Sequence, residues 1–143
     1  MGQIHEKKSR YQQILAMANH PGHFTGRNGI AVTEVGEGYA KGEMENTPAT
    51  QSVLGGLHGG ALSALADTVA AVAVVSLGGI AVTVHNTMEY LQGAGPGPVF
   101  CEARVRKAGK TITVCQAVIT DSQGEEVAMG TFSFFMTGET LPF

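Results

Sequence analysis

Apolar residues crowd one stretch of the chain. From Ala61 to Leu77 the only polar side chains are Ser63, Asp67, Thr68 and Ser76. That run predicts a helix from about His58 to Leu77, ended by Gly78-Gly79. Upstream, Ile4, Tyr11, Ile14, Leu15 and Ala18 keep a loose helical spacing over residues 4–18. Asn19-His20-Pro21-Gly22 stops that helix, and a glycine-rich loop is expected to follow. Ile30, Val32 and Val35 mark a strand, Gly36-Glu37-Gly38 a turn and Tyr39–Glu45 a second strand, together a hairpin. Residues 46–57, with Pro48 and Gly55-Gly56, read as an irregular loop. Beyond the central helix the pattern becomes that of strands. Ile80–Leu91 alternates in places (Val82, Val84, Met88, Tyr90), and Gly93–Pro98 interrupts it. Val99–Lys107 sets Val99, Cys101, Ala103 and Val105 against Phe100, Glu102, Arg104 and Arg106, as a half-exposed strand does. Thr111–Thr120 and Val127–Thr137 follow, with turns at Ala108-Gly109 and Ser122-Gln123-Gly124.

Four successive strands on short connections form an antiparallel sheet, and the earlier hairpin can join it. The expected class is α+β. A helix apolar nearly all round must be enclosed on most sides. One sheet covers one flank, so the other needs a second helix, a second sheet or a second copy of the chain.

Composition narrows the possibilities. The 143 residues suffice for one domain with a sizeable core, and 43% hydrophobic with 15% charged residues is an ordinary globular balance. A formal charge of −3 argues against bulk nucleic-acid binding. The two cysteines, Cys101 and Cys115, fall in predicted strands without CxxC spacing, so neither a disulfide nor a metal site is expected. The polar start MGQIHEKKSRYQ has no secretory apolar core. Glu6 stands where a myristoylation signal needs Ser or Thr. The apolar helix is short for a membrane span and contains Asp67. A cytoplasmic protein is the resulting expectation.

Asp67 is the residue that most needs explaining. A carboxylate on an apolar helix is costly unless something holds or uses it. His58-Gly59-Gly60 stands at the predicted start of the same helix, where backbone N–H groups point outward and favour negative charge. An anion-stabilising helix start with a carboxylate further along suggests acyl chemistry.

With His58-Gly59-Gly60 followed by Leu65-Ala66-Asp67 in one helix, the chain resembles a hot-dog fold thioesterase of the PaaI-like group, which includes phenylacetate-pathway and 4-hydroxybenzoyl-CoA thioesterases. VRKAGKTITV (Val105–Val114) is similar to a hairpin turn of the same group. The resemblance covers about residues 28–137. It implies an antiparallel sheet wrapped around a long central helix, with residues 1–27 as an N-terminal helix and loop and 28–143 as the hot-dog part of a single domain. It further implies that Gly59 N–H polarises a thioester carbonyl, that Asp67 acts as nucleophile or as the base for water, and that His58 orients loop and substrate. Gly60 completes the motif. Where the group carries Asn or Gln on the preceding loop, this chain has Ser52, with Gln51 beside it. Thr83 matches a hydroxyl residue on the strand after the helix.

Spacing adds a constraint. Eight residues of helix separate Gly59 from Asp67 by about 12 Å. Groups acting on one carbonyl must approach to roughly 3–3.5 Å. If both serve one thioester, an antiparallel helix from a second subunit must bring its Asp67 to this Gly59. The expectation is a homodimer with shared sites, and the resemblance further implies pairing of dimers into a homotetramer. The substrate expected is an acyl-CoA, with no cofactor beyond the coenzyme A of the substrate, no metal, no nucleic acid and no membrane.

The remaining candidates are weaker. Arg104, Arg106, Lys107 and Lys110 form the basic cluster of an acidic chain and could hold the phosphates of coenzyme A. No GxGxxG or Walker pattern offers a glycine cradle instead. His5, His20, His23 and His85 lack metal-ligand spacing. Met17, Met44, Met88, Met129 and Met136 read as core or pocket lining. Two other activities fit parts of the pattern: an enoyl-CoA hydratase or dehydratase of the same fold, and a non-catalytic acyl-CoA-binding protein.

Overall fold

The computed structural model describes residues 2–143. Its elements in chain order are α1 (Gly2–Ala18), α2 (Phe24–Arg27), β1 (Ile30–Gly36), β2 (Tyr39–Met44), α3 (Gly59–Val75), β3 (Gly79–Tyr90), β4 (Val99–Lys107), β5 (Ile112–Thr120) and β6 (Glu126–Thr140). The expected order of helix, hairpin, long helix and four strands is present. Three details differ. The expected glycine-rich loop after α1 contains the short helix α2. The central helix is Gly59–Val75, with His58 as its N-cap rather than its first residue. β6 continues to Thr140, where it pairs with Gly79 at the start of β3.

All six strands form one antiparallel sheet in the order β1-β2-β4-β5-β6-β3. The sheet lays its inner face on α3. The alternation read in β4 holds: Val99, Cys101 and Ala103 are buried against the helix side, while Phe100, Glu102 and Arg104 face out. From α3, Leu62, Leu65, Ala66, Val69, Ala70, Val72, Ala73 and Val74 enter the core, where Phe132 and Phe134 of β6 are fully enclosed. Burial of this apolar surface supplies the main drive for the packing. Both cysteines are free and buried there.

The flank of α3 away from the sheet is partly covered by α1. Ile14, Met17 and Ala18 lie across from Ala71, Val72 and Val75, so a second helix shelters the C-terminal half. The N-terminal half is less enclosed: Ser63, Ala64, Asp67 and Thr68 are half-buried.

β3 departs from expectation. Its apolar residues do not all turn inward: Val82, Val84 and Tyr90 are 50%, 55% and 53% exposed. The strand pairs on one side only, with β6, and forms an edge of the sheet. The alternation in the sequence therefore records an apolar strand that this one chain does not cover. No helix among the described residues is long and apolar enough to cross a membrane.

Candidate active site

The site is assembled where the loop before α3 meets the helix. His58 has extended backbone angles (φ −68°, ψ 131°), as an N-cap does. Its Nδ1 accepts the Gly60 N–H at 2.8 Å. Its carbonyl accepts the N–H groups of Ala61 (2.9 Å) and Leu62 (3.1 Å). The first turn of a helix carries N–H groups without regular helical partners, and His58 takes two of them, those of Gly60 and Ala61, while Leu62 makes the first regular helical bond. Gly59 N–H is left without an acceptor among the described residues. His58 is itself braced, because its N–H donates to Thr50 O at 2.9 Å and Thr50 Oγ1 donates to Glu45 O at 2.6 Å.

The two glycines differ in what they need. A methyl group added at Gly60 would sit 3.0 Å from the His58 ring, so glycine lets the imidazole close on the helix start. One added at Gly59 would meet Tyr90 at an ordinary 3.5 Å. Nothing in the packing of this chain demands glycine at 59.

Asp67 lies two helical turns further on, half-buried, and accepts a hydrogen bond from Thr83 Oγ1 at 2.8 Å. The carboxylate has a neutral donor rather than a cation. A β-bulge falls between Thr83 and His85, where the register with β6 slips by one residue. Bulges re-aim side chains and are common beside active sites. His85, just beyond it, is exposed.

Of the two loop candidates, Gln51 lines a cavity of about 220 Å³ together with His58, Gly60, Ala61 and Ala64. Its Nε2 donates to Asn46 Oδ1 at 3.0 Å. Ser52 does not line that cavity. Its N–H and carbonyl close a tight turn with Gly56 and Gly55, and its Oγ accepts from Leu54 N–H at 3.3 Å.

The basic cluster is not gathered with Gly59. Val105, beside Arg106, lies near Gly38 and Leu77, at the C-terminal end of α3. A helix of 17 residues puts that end about 25 Å from its start. Arg104 stacks over the Tyr39 ring at 4.3 Å on the outer face of the sheet. Lys107 and Lys110 flank the turn from β4 to β5. No cluster of His, Cys, Asp or Glu suited to a metal occurs among the described residues.

Tyr90, which sequence reasoning passed over, donates its hydroxyl to Gly59 O at 3.1 Å. Only its strand-end location was visible in the sequence. That it reaches the helix start depends on how β3 crosses α3.

Comparison with known proteins shows the family and the fold. The sequence profile of the Thioesterase superfamily matches residues 54–128, just over half the chain. The putative esterase Rv1847 of Mycobacterium tuberculosis (strain H37Rv) is 26% identical over 113 residues, covering 75% of this chain and 81% of that protein. The structure of the E. coli PaaI protein, from the phenylacetic acid degradation operon, is 30% identical with a TM-score of 0.80, covering 88% of this chain and 93% of that one. The protein smu.793 of Streptococcus mutans UA159, solved bound to acetyl-CoA, is 25% identical with a TM-score of 0.77, covering 86% and 100%. A helix start with an unclaimed N–H, a hydroxyl-held carboxylate on the same helix, this hot-dog sheet and these matches lead to one conclusion: the chain belongs to the thioesterase superfamily and is a thioester hydrolase.

Proposed function

We propose that the protein hydrolyses an acyl-CoA thioester to the free acid and coenzyme A, with each active site shared between two subunits. Gly59 N–H receives the thioester oxygen. Asp67 of the second subunit supplies the carboxylate. The observation that carries this reading is the division of labour in the first turn of α3, where His58 takes the other N–H groups and leaves that of Gly59 free. Acetyl-CoA bound to the similar smu.793 protein supports the substrate class.

In the direct route Asp67 takes a proton from water as the water oxygen attacks the carbonyl carbon. The tetrahedral oxyanion is held at Gly59 N–H, the C–S bond breaks, and the departing thiolate takes up a proton. In the covalent route an Asp67 oxygen attacks first, expels the thiolate and leaves a mixed anhydride that water then opens. In either case Thr83 orients the carboxylate through one oxygen, and the other can face the substrate. Single turnover in ¹⁸O-water distinguishes them: the direct route puts the label in the product acid, whereas an anhydride opened by water at the Asp67 carbonyl puts it in Asp67 and leaves the first product unlabelled.

Distance and the exposed surface of β3 support the sharing. Within one chain Gly59 and Asp67 are about 12 Å apart along the helix. An edge strand with Val82, Val84 and Tyr90 exposed offers an open row of backbone groups for a second copy. A two-fold pairing there makes two equivalent sites. It also gives Arg106, Lys107 and Lys110 a role at the partner's site, as counter-charges for coenzyme A phosphates. Gln51 is the side chain we assign to the loop position beside the carbonyl, since it shares the cavity with His58 and Gly60. No cofactor or metal enters this chemistry.

Complementation tests the sharing. Gly59→Pro removes the N–H at the first helical position, where proline is well tolerated, and the extended angles of His58 suit a residue before proline. Gly59→Pro and Asp67→Asn should each be inactive alone. Unfolded and refolded together, they should regain activity, because one site of the hybrid dimer keeps both native groups. A mixture that stays inactive despite forming hybrid dimers places the two groups in one chain and sinks the shared site.

A further inference from the structure

The short helix α2 holds one large apolar side chain in solvent, and its surroundings show that it is held there firmly. Thr25 Oγ1 donates to Ala18 O at 2.8 Å, tying α2 to the end of α1. Asn28 Nδ2 donates to Phe24 O at 2.6 Å. A methyl group at Gly26 would fall 2.6 Å from His20 O and 2.8 Å from Pro21 Cα, so only glycine lets α2 pack this close to the preceding turn. The Phe24 so positioned is 63% exposed. Its ring stands at the wall of the 220 Å³ cavity that begins at His58 and Gly60.

The remaining walls are mostly apolar. Ile30 and Met44, 4% and 1% exposed, close the inner end, and Ala61 and Ala64 form the helix side. An apolar cavity of about 150 Å³ accommodates benzene. This one therefore has room for six to eight carbons, as a chain or as one ring on a short stem.

We propose that this cavity receives the acyl group and that Phe24 is its specificity-determining residue, folding its ring over apolar acyl groups of about six carbons. The inference rests on the acyl-CoA thioesterase reading, because the cavity takes an acyl group only if the thioester carbonyl lies at Gly59. The occupant follows from continuity: the cavity opens at the helix start, and beyond it the apolar Ile30, Met44, Ala49, Ala61 and Ala64 outnumber the polar Asn28, Thr50 and Gln51. Phe24 loses its exposure to water when an apolar group fills the space beside it, and gains nothing from acetyl. Met44 and Ile30 set the length limit.

The test uses coenzyme A and its S-ethyl, S-hexyl and S-dodecyl thioethers, which cannot be hydrolysed, titrated into wild type, Phe24→Ala and Phe24→Leu. Wild type should bind S-hexyl-CoA at least about tenfold more tightly than S-ethyl-CoA, with no further gain for S-dodecyl. Phe24→Ala should lose that advantage while binding coenzyme A and S-ethyl-CoA as wild type does, and Phe24→Leu should keep most of it. Equal loss for every ligand would make Phe24 a contact for the coenzyme A arm and overturn the proposal. So would an unchanged advantage, or a shift of Phe24→Ala to a smaller species in sedimentation. Thiol release from butyryl-, hexanoyl- and phenylacetyl-CoA is measured in parallel. Wild type that releases no thiol from any acyl-CoA sinks the thioesterase reading, while the thioether series still decides whether Phe24 lines an acyl site.

Discussion

Thr83 Oγ1 donates to Asp67 Oδ1 at 2.8 Å, joining the strand after the central helix to the one carboxylate on that helix. The bond fixes a rotamer and occupies one oxygen. It leaves the acid with a neutral partner, so its negative charge is not cancelled.

Asp67→Asn keeps an oxygen acceptor for Thr83 and nearly the same volume. Its thermal midpoint and sedimentation should match wild type, while kcat falls by about 10²–10⁴ in a thiol-release assay. A mutant that turns over at the parental rate would remove Asp67 from the chemistry.

Thr83 separates orientation from structure. Thr83→Val removes the donor at an exposed position and should cost little stability. It should lower kcat by about tenfold or more, because the carboxylate is then no longer held in one reactive orientation. Thr83→Ser should restore most of the rate. If valine and serine variants behave alike, the hydroxyl is incidental.

His58→Ala uncaps α3. Gly60 N–H loses its acceptor, and stability should fall by about 1 kcal/mol in urea titrations. Asparagine is a good cap, so His58→Asn should regain that stability. Comparing the rates of the two variants then reads what the imidazole contributes beyond capping.

Asp121 carries an acid-sensitive tie on the loops flanking β4 and β5. Its Oδ2 accepts Gly95 N–H at 3.1 Å, and its Oδ1 accepts Gln123 and Glu125 N–H, each at 3.0 Å. These donors, that of Gly95 foremost, hold its pKa below the usual carboxylate range against the opposing effect of burial. A carboxylate with a depressed native pKa contributes stability above its unfolded value, near 3.9, and loses it as pH falls through the native value. Asp121→Asn turns an amide toward Gly95 N–H and should be less stable than wild type at pH 7. The gap in urea midpoints should narrow below about pH 4. A gap independent of pH would mean that the charge is not what matters.

Burial raises the thiol of Cys101 and pushes that of Cys115 up to about 12. Thiolates are the reactive form. Neither cysteine should react with a thiol reagent at pH 8 in the native protein, and both should react in urea. Rapid native labelling would show that β4 and β5 open locally.

Much of this was legible along the chain because it depends on periodicity. The alternation of Val99–Lys107 and the largely apolar run through Ala61–Leu77 place their elements almost to the residue. The pattern at β3 misleads as to burial, since Val82 and Val84 alternate as core residues do and yet face solvent in one chain. Periodicity records that a face is apolar, and cannot say which chain covers it. Helix α2 escaped notice because four residues, Phe24–Arg27, are too few to carry a period.

The site divides the same way. His58, Gly59, Gly60 and Asp67 share one helix, so local rules of capping, dipole and rise suffice to pick them out, and even to separate Gly59 from Asp67 by about 12 Å. Thr83 was found by resemblance alone. Its bond to Asp67 spans 16 residues and depends on how β3 returns along the helix and where its bulge falls. That Gln51 lines the cavity beside His58 while Ser52 closes a turn, and that Tyr90 reaches Gly59 O, are likewise tertiary facts. Short-range geometry is written in spacing along the chain, whereas the pairing of distant side chains waits on the packing of whole elements.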